Sequence, residues 1–483
     1  MHRNQAGWAA FALWLGSAAA HGEVLQGALE LTWGDASPQA RAALAPRFEV
    51  RLALDNGVRV KLDPDQARRG AGDLYALANR RVAVQFSRAK ASGRRVVEAI
   101  VPADEVDATR EHAVAGKAHA LAKAVSGQTR WITIACKFND VAEEQKSVDF
   151  FRGQYGEQEG RLGHYWREVS YNKIHLTGSD ARGWYTLPRS RSQYVTQVDG
   201  EDDADLDALF DDCTAAANAD VDFSQVVGIN LMFNADLDGY AWGGGRYATL
   251  DGVARVWSST WNPPWSFNNF APLAHEMGHG YGLPHSNNSD GDDDPYDNPW
   301  DVMSDAWSNA VIDATYGSRP KHVNIVQRDR LGWVDAARRR TIAVASGRTR
   351  VAIDYASLPG AGNVQMLVLL NGALADPYAG TVYTVEARRP VGAYEANLAG
   401  DAIIIHRLSG NYYGYEAESQ DADSPPADVA NNEGSMFKVG ESWRSPDGLF
   451  TLQVESKTAS GFVVVVESYG TRITGGKGPR RRK

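Results

Sequence analysis

An N-terminal β-rich region, a central α+β unit and a C-terminal antiparallel β-sandwich are the architecture this sequence predicts, on three patterns. Over 21–125, runs such as FEVRLALD, RVKLD, RVAVQFS and RVVEAIVP alternate polar with apolar residues, as strands with one wet face do. Over 126–340, helical periodicities alternate with strand-like runs, the mark of mixed helix and sheet. Over 341–470, short β-branched runs (TIAVAS, RVAIDY, VQMLVLL, TVYTVEAR, DAIIIHRL, LFTLQVES, FVVVVES) are separated by Gly, Pro and Asp turns, the pattern of a sandwich. At 483 residues, 43% of them hydrophobic, the chain is long enough for two or three such domains.

Residues 1–20 read as a secretory signal peptide: Arg3 is the positive flank, Ala6–Ala19 the apolar stretch, and Ala18-Ala19-Ala20 an A-x-A cleavage site. That stretch is too short to span a membrane and no later one approaches eighteen apolar residues, so no stable membrane insertion is expected. The expected location is outside the cytoplasm, extracellular or periplasmic. Region 21–125 is either a propeptide or an accessory β domain, closed by a helical linker from Glu111. The net charge of −10 excludes a general nucleic-acid binder. The tail 471–483 runs against that charge, with Lys477, Arg480, Arg481, Arg482 and Lys483; it reads as a disordered, solvated end. Two cysteines, Cys136 and Cys213, allow either one disulfide or two buried thiols.

In the central unit WITIAC reads as a first strand and Val141–Ser170 as a long helix. IHLTG and GWYTLP read as strands, DLDALFDDCTAAANA as a second helix and VVGINLMFN as a buried strand. GGG at 243–245 reads as a flexible turn, and without a following Lys-Ser/Thr it is no phosphate loop. GVARVWSS, from Gly252, alternates as an edge strand would, a place for a peptide to add itself by backbone hydrogen bonds.

The chemistry concentrates in HEMGHGYGLPH, His275–His285. On a helix His275 and His279 stack on one face, one turn apart. Glu276 lies about 100° round from them, beside a metal rather than on it. Gly282 suits a left-handed exit from the helix and Pro284 blocks its continuation, so the chain can turn back and bring His285 to the same metal. Three imidazoles and one open position describe a catalytic Zn²⁺ site, in which a carboxylate such as Glu276 serves as general base. Met303, in WDVMSD, follows the third histidine.

These residues resemble the metzincin metallopeptidases, whose motif is HExxHxxGxxH followed by a Met-turn. The resemblance implies a metzincin-like catalytic domain, with His275, His279 and His285 as zinc ligands, Glu276 as base, Met303 as the Met-turn and a protein or peptide substrate. Asp305 stands where some metzincins place a functional Tyr after that Met. Tyr165–Pro188 is similar to a stretch of the gametolysin-like and immune-inhibitor-A-like secreted families, and Thr381–Leu408 resembles the C-terminal region of the immune-inhibitor-like peptidases. Some metzincins are kept latent by a propeptide cysteine on the zinc; no cysteine precedes Cys136, so that device is absent.

Between His285 and Met303, Asp290, Asp292, Asp293, Asp294 and Asp297 crowd together, either as a Ca²⁺ site or as a solvated acidic loop. Trp242, Trp257, Trp261, Trp265, Trp300 and Trp307 either anchor the core or line a substrate cleft. Tyr281 and Tyr296 are both available to assist hydrolysis. Two other readings compete: a non-peptide metallohydrolase on the same site, and a secreted protein whose β-sandwich binds glycans or a cell surface.

Overall fold

The computed structural model describes residues 23–87, 95–104, 124–292, 294–360, 362–371, 381–408, 416–421 and 433–470. The expected signal peptide, most of the expected helical linker, Asp293 and the basic tail lie outside the described residues.

One ten-stranded sheet draws its strands from the described residues between Val24 and Asn262. Its strands are β1 (Val24–Ala36), β2 (Arg47–Ala53), β3 (Arg59–Leu62), β4 (Arg81–Phe86), β5 (Val97–Pro102), β6 (Trp131–Lys137), β7 (Asp180–Thr186), β8 (Gly228–Phe233), β9 (Tyr240–Leu250) and β10 (Val253–Asn262). The order is β3-β2-β1-β9-β10-β8-β6-β7, with β4 paired to both β1 and β5. The strands β10, β8, β6 and β7 run parallel, and all six residues of β8 are buried, as a strand covered on both faces requires. The strand β9 is antiparallel to β10 on one side and to β1 on the other.

Two expectations fail here for one reason. The glycines 243–245 are not a turn but the middle of β9, and GVARVWSS (β10) is therefore internal rather than an edge. Glycine is needed for close approach: a Cβ on Gly243 would sit 2.5 Å from the carbonyl oxygen of Glu276, and one on Gly244 would sit 2.1 Å from that of Leu31 on β1. The long helix expected over Val141–Ser170 is also broken, into Val148–Gln154 and α1 (Leu162–Val169). Gly160, at φ +83°, makes the turn between them.

A second helix, α2 (Leu206–Ala217), is N-capped by Asp205 and joined to β6 through the Cys136–Cys213 disulfide, which resolves the cysteine alternatives. The helix α3 (Phe270–Gly280) packs across β9 and β10. Leu29, Leu52, Leu62 and Val84 belong to a core formed by the N-terminal strands, distinct from the cores on the two faces of the central sheet.

The C-terminal part forms two packed sheets sharing one core, which includes Val351, Ile405, Leu452 and Val464. All seven predicted runs are strands, but the arrangement is not purely antiparallel. Arg339–Ala343 pairs in parallel with Met366–Leu370, and Ser286–Asn287, next to His285, pairs in parallel with Ala417–Ser419.

Candidate metal centre

The helix α3 carries two glycines in its second half, a costly choice unless something must come close (about 1 kcal/mol each relative to Ala). Both have such neighbours. A Cβ on Gly278 would meet Met303 Sδ at 2.3 Å, and one on Gly280 would meet the Trp131 ring at 2.8 Å. Past Tyr281 the chain turns through Gly282 at φ +92°, and Leu283 N–H donates back to the Gly278 carbonyl at 3.0 Å. That turn returns His285 to the helix face that presents His275 and His279.

The three imidazoles converge. His275 Nε2 and His279 Nε2 lie 3.0 Å apart, and His279 Nε2 and His285 Nε2 lie 3.2 Å apart. The Nδ1 atoms of His275 and His279 face the carbonyl oxygens of Val302 (2.6 Å) and Leu283 (2.7 Å). Nδ1 therefore carries the proton, and the Nε2 lone pairs are left facing one another. Burial pushes the His279 pKa down to about 3, which keeps that ring neutral. Bare lone pairs at this spacing repel unless a cation lies among them.

A fourth donor completes the group, and it comes from the N-terminal region. Asp35, next to the end of β1, lies with Oδ2 3.3 Å from His275 Nε2 and 3.2 Å from His279 Nε2, and with Oδ1 2.8 Å from His285 Nε2. Zn–N bonds of about 2.0–2.1 Å in a tetrahedron put ligand atoms about 3.3–3.4 Å apart, so Asp35 and the three histidines have the size of a tetrahedral zinc site. Burial opposes ionisation of Asp35, but the imidazoles of His285 and His275 outweigh it and hold the carboxyl well below its usual range.

Glu276 lies beside this group. Neither of its carboxylate oxygens, nor Asp35 Oδ2, finds a hydrogen-bond partner among the described residues, an arrangement that buried carboxylates rarely tolerate. Burial, and then the charge on Asp35, pushes the Glu276 carboxyl well above its ordinary pKa. Eighteen residues beyond His285 comes Met303, fully buried beneath α3, with Ser286 N–H donating to its carbonyl at 3.2 Å. No family model matches the chain, and no curated protein is significantly similar to it.

The two tyrosines separate clearly. Tyr281 points behind the helix, its hydroxyl accepting from Trp131 Nε1 at 2.9 Å. Tyr296 points into the site and donates to Asp35 Oδ1 at 2.8 Å. Burial and the nearby Asp35 charge raise the Tyr296 pKa well above its usual value, so it remains a donor.

The acidic loop holds Tyr296 there through a ladder of short-range bonds. Asp290, Asp292 and Asp294 each accept a backbone N–H two residues on, at 3.0, 2.8 and 2.9 Å, the last from Tyr296 itself. Asp290, Asp292 and Asp297 lie close enough to share a cation, whereas Asp294 is not in that group. Burial, followed by repulsion from Asp290, Asp294 and Asp292, raises the Asp297 pKa to about 8.

Of the tryptophans, Trp242, Trp257, Trp261 and Trp300 are buried core residues. Trp265 and Trp307 are half-buried and line a cavity of about 10 Å³ beside Glu276, room for about one water. The residue that sequence reasoning missed is Asp35. Its signal was a carboxylate at the end of the apolar run ALELTWGDA, where a core strand has no use for one.

Proposed function

We propose that the chain is a secreted zinc-dependent endopeptidase of metzincin type. The observation that carries this reading is the convergence of three Nε2 atoms, from His275, His279 and His285, beside the buried carboxylate of Glu276, which has no hydrogen-bond partner among the described residues. Zn²⁺ held by those imidazoles would polarise a scissile carbonyl and make a water acidic enough to deliver hydroxide near neutral pH.

The rest is the work of the chain's own side chains. Glu276 takes a proton from the attacking water and passes it to the leaving amine. The Tyr296 hydroxyl donates toward the point now filled by Asp35 Oδ1, where it would stabilise negative charge developing on the substrate carbonyl oxygen. Val302 and Leu283 hold His275 and His279 in the ligating tautomer through their carbonyl oxygens. Met303 supports α3 from below.

Elemental analysis of the purified protein, with casein and peptide-library cleavage in the presence and absence of o-phenanthroline, tests the reading. One equivalent of zinc with chelator-sensitive cleavage is expected. A folded protein that takes up no zinc from excess overturns it. The proposal extends to Ca²⁺ on Asp290, Asp292 and Asp297, whose mutual repulsion a hard cation would relieve. A rise in melting temperature with millimolar Ca²⁺, abolished by Asp292→Asn with Asp297→Asn, is the expected result; no rise in the parent removes the ion.

A further inference from the structure

The six-stranded C-terminal sheet has two unlike buried faces. Alternate residues of its strands Val382–Arg388 and Ala402–Leu408 point opposite ways. Val385, Ala387, Ile403 and Ile405 join the sandwich core. The other face carries Thr384, Glu386, Arg388 and His406, each at most 2% exposed. A sandwich has no use for charge there, and burying a guanidinium is costly unless it is well paired.

That face meets the loop from Asn298 to Met303. The Trp300 ring enters an apolar cluster with Leu398, Ala402, Ile404 and Met436, and its Nε1 donates to Ser435 Oγ at 2.9 Å. Arg388 Nη1 donates to the Trp300 carbonyl at 2.7 Å. Glu386 Oε1, at 3.3 Å, and Glu395 hold the same guanidinium. The next residue along the loop, Asp301, is fully buried and ties three segments together. Its Oδ2 accepts from Ser286 Oγ at 2.9 Å and from Asn324 Nδ2 at 2.6 Å, and its Oδ1 accepts from Met303 N–H at 3.0 Å.

The loop so fixed leads to two of the three imidazoles. The Val302 carbonyl faces His275 Nδ1 at 2.6 Å, and Ser286 directly follows His285. Ser286–Asn287 is itself paired with Ala417–Ser419 of the same C-terminal sheet.

We propose that Arg388 and Asp301 are positioning residues for the metal centre, through which the C-terminal sheet sets the orientation of His275 and the place of His285. This rests on the peptidase reading above. The sheet is then a wall of the metal centre and not an appended binding module. A guanidinium suits the task, because its planar fork reaches the Trp300 carbonyl and two carboxylates at once and fixes direction as well as distance. A residue serving stability alone could be apolar, since buried ion pairs are often replaced by apolar groups of similar volume without loss. The two roles differ in what they disturb. Lost packing lowers stability wherever it occurs, whereas lost aim alters the geometry offered to the metal.

The test uses the full chain, metal-free and loaded with Co²⁺ or Zn²⁺. Arg388→Met removes the fork and keeps much of the volume. Ser286→Ala removes one hydroxyl from Asp301 and changes no charge. Leu452→Ala, in the sandwich core behind the same sheet, is the control for lost stability. Zinc affinity should fall about 10–100-fold in Arg388→Met. In Ser286→Ala it should fall roughly 2–10-fold, the worth of one hydrogen bond. In both, the cobalt absorption bands should shift and kcat should drop with KM little changed. Leu452→Ala should be less stable in urea and keep the parent's affinity, bands and kcat. If Arg388→Met does not fold, Ser286→Ala decides by the same criteria. Parent-like affinity and bands in the folded variants, or equal losses in Leu452→Ala, overturn the proposal. A parent that binds no metal sinks the peptidase reading and this proposal together. A parent that binds cobalt and cleaves no peptide sinks the peptidase reading alone, and affinities and bands still decide the positioning role.

Discussion

Gly278→Ala is a one-carbon change whose consequence can be worked through from packing to metal affinity. In an exposed helix it would stabilise by about 1 kcal/mol. Here the new Cβ would lie 2.3 Å from Met303 Sδ and 3.1 Å from its methyl carbon, against an ordinary separation of about 3.5–4.0 Å. Met303 is fully buried and Leu283 Cδ1 would lie 3.7 Å from the same new Cβ, so the space around the added carbon is already occupied. Helix and turn must part by roughly 1 Å, and overpacking of this kind costs about 1–3 kcal/mol. Net stability should fall by about 1 kcal/mol.

The larger effect is on the site. Val302, adjacent to Met303, orients His275 through a 2.6 Å contact, and an added ångström takes that bond past about 3.5 Å, beyond hydrogen-bond range. Losing such a partner typically weakens zinc about 10–100-fold. Competition against a chromogenic chelator gives the affinity, and urea unfolding of the metal-free protein gives the stability. In a cycle with Met303→Ala the Gly278 change should lose most of its cost, a coupling of about 1 kcal/mol or more. A Gly278→Ala protein that is more stable than the parent and binds zinc equally well would refute the reasoning, because Met303 would then not be the shelf beneath α3.

The other expectations are briefer. Glu276→Gln should keep its zinc and lose about 10²–10⁴-fold in peptide turnover; undiminished turnover removes it as the base. Tyr296→Phe should lower kcat by about 10²–10³-fold with KM little changed, and a change confined to KM would make it a binding residue only. Glu30, on β1, has its pKa raised by burial to about 7 against an ordinary 4.5, with Arg59 opposing. A raised acid contributes its full stability below pH 4.5 and loses it as pH rises through 7, here on the order of 3 kcal/mol by pH 8. Urea unfolding at pH 5 and pH 8 should show that decline in the parent and a flatter profile in Glu30→Gln; parallel profiles count against it.

What was legible in the sequence is what local geometry controls. His275 and His279 on one helix face, Glu276 beside them, and the Gly282 and Pro284 exit that returns His285 all follow from residues within one turn or two. The C-terminal strands were legible because β-branched runs between turns say the same thing at every scale. The acidic loop was only half legible. Carboxylates that cap their own backbone and carboxylates that hold a cation produce the same composition, and the ladder through Asp290, Asp292 and Asp294 appears only with coordinates. Choosing Tyr296 over Tyr281 likewise needed the fold, since both are near the motif in sequence and only one faces it.

The remaining failures trace to a single strand. Glycine permits a turn and also permits close approach, and a sequence does not say which use is in force. Taking 243–245 as a turn removes β9, and with β9 gone β10 becomes the edge by default. It also leaves β1 with no partner in the central unit, so nothing connects a carboxylate 250 residues before His285 to the histidine cluster. Once β9 is restored, its three glycines account for three close approaches at once: Glu276 on one neighbour, Leu31 of β1 on another, and the Asn79 side chain on a third. The strand that lets Glu276 come close is thus the strand that lets the N-terminal region reach the site. A side chain at Gly244 would press on β1, the strand that carries Asp35, while leaving the three histidines untouched, which makes this position the place where docking of the N-terminal strands and assembly of the histidine cluster come apart.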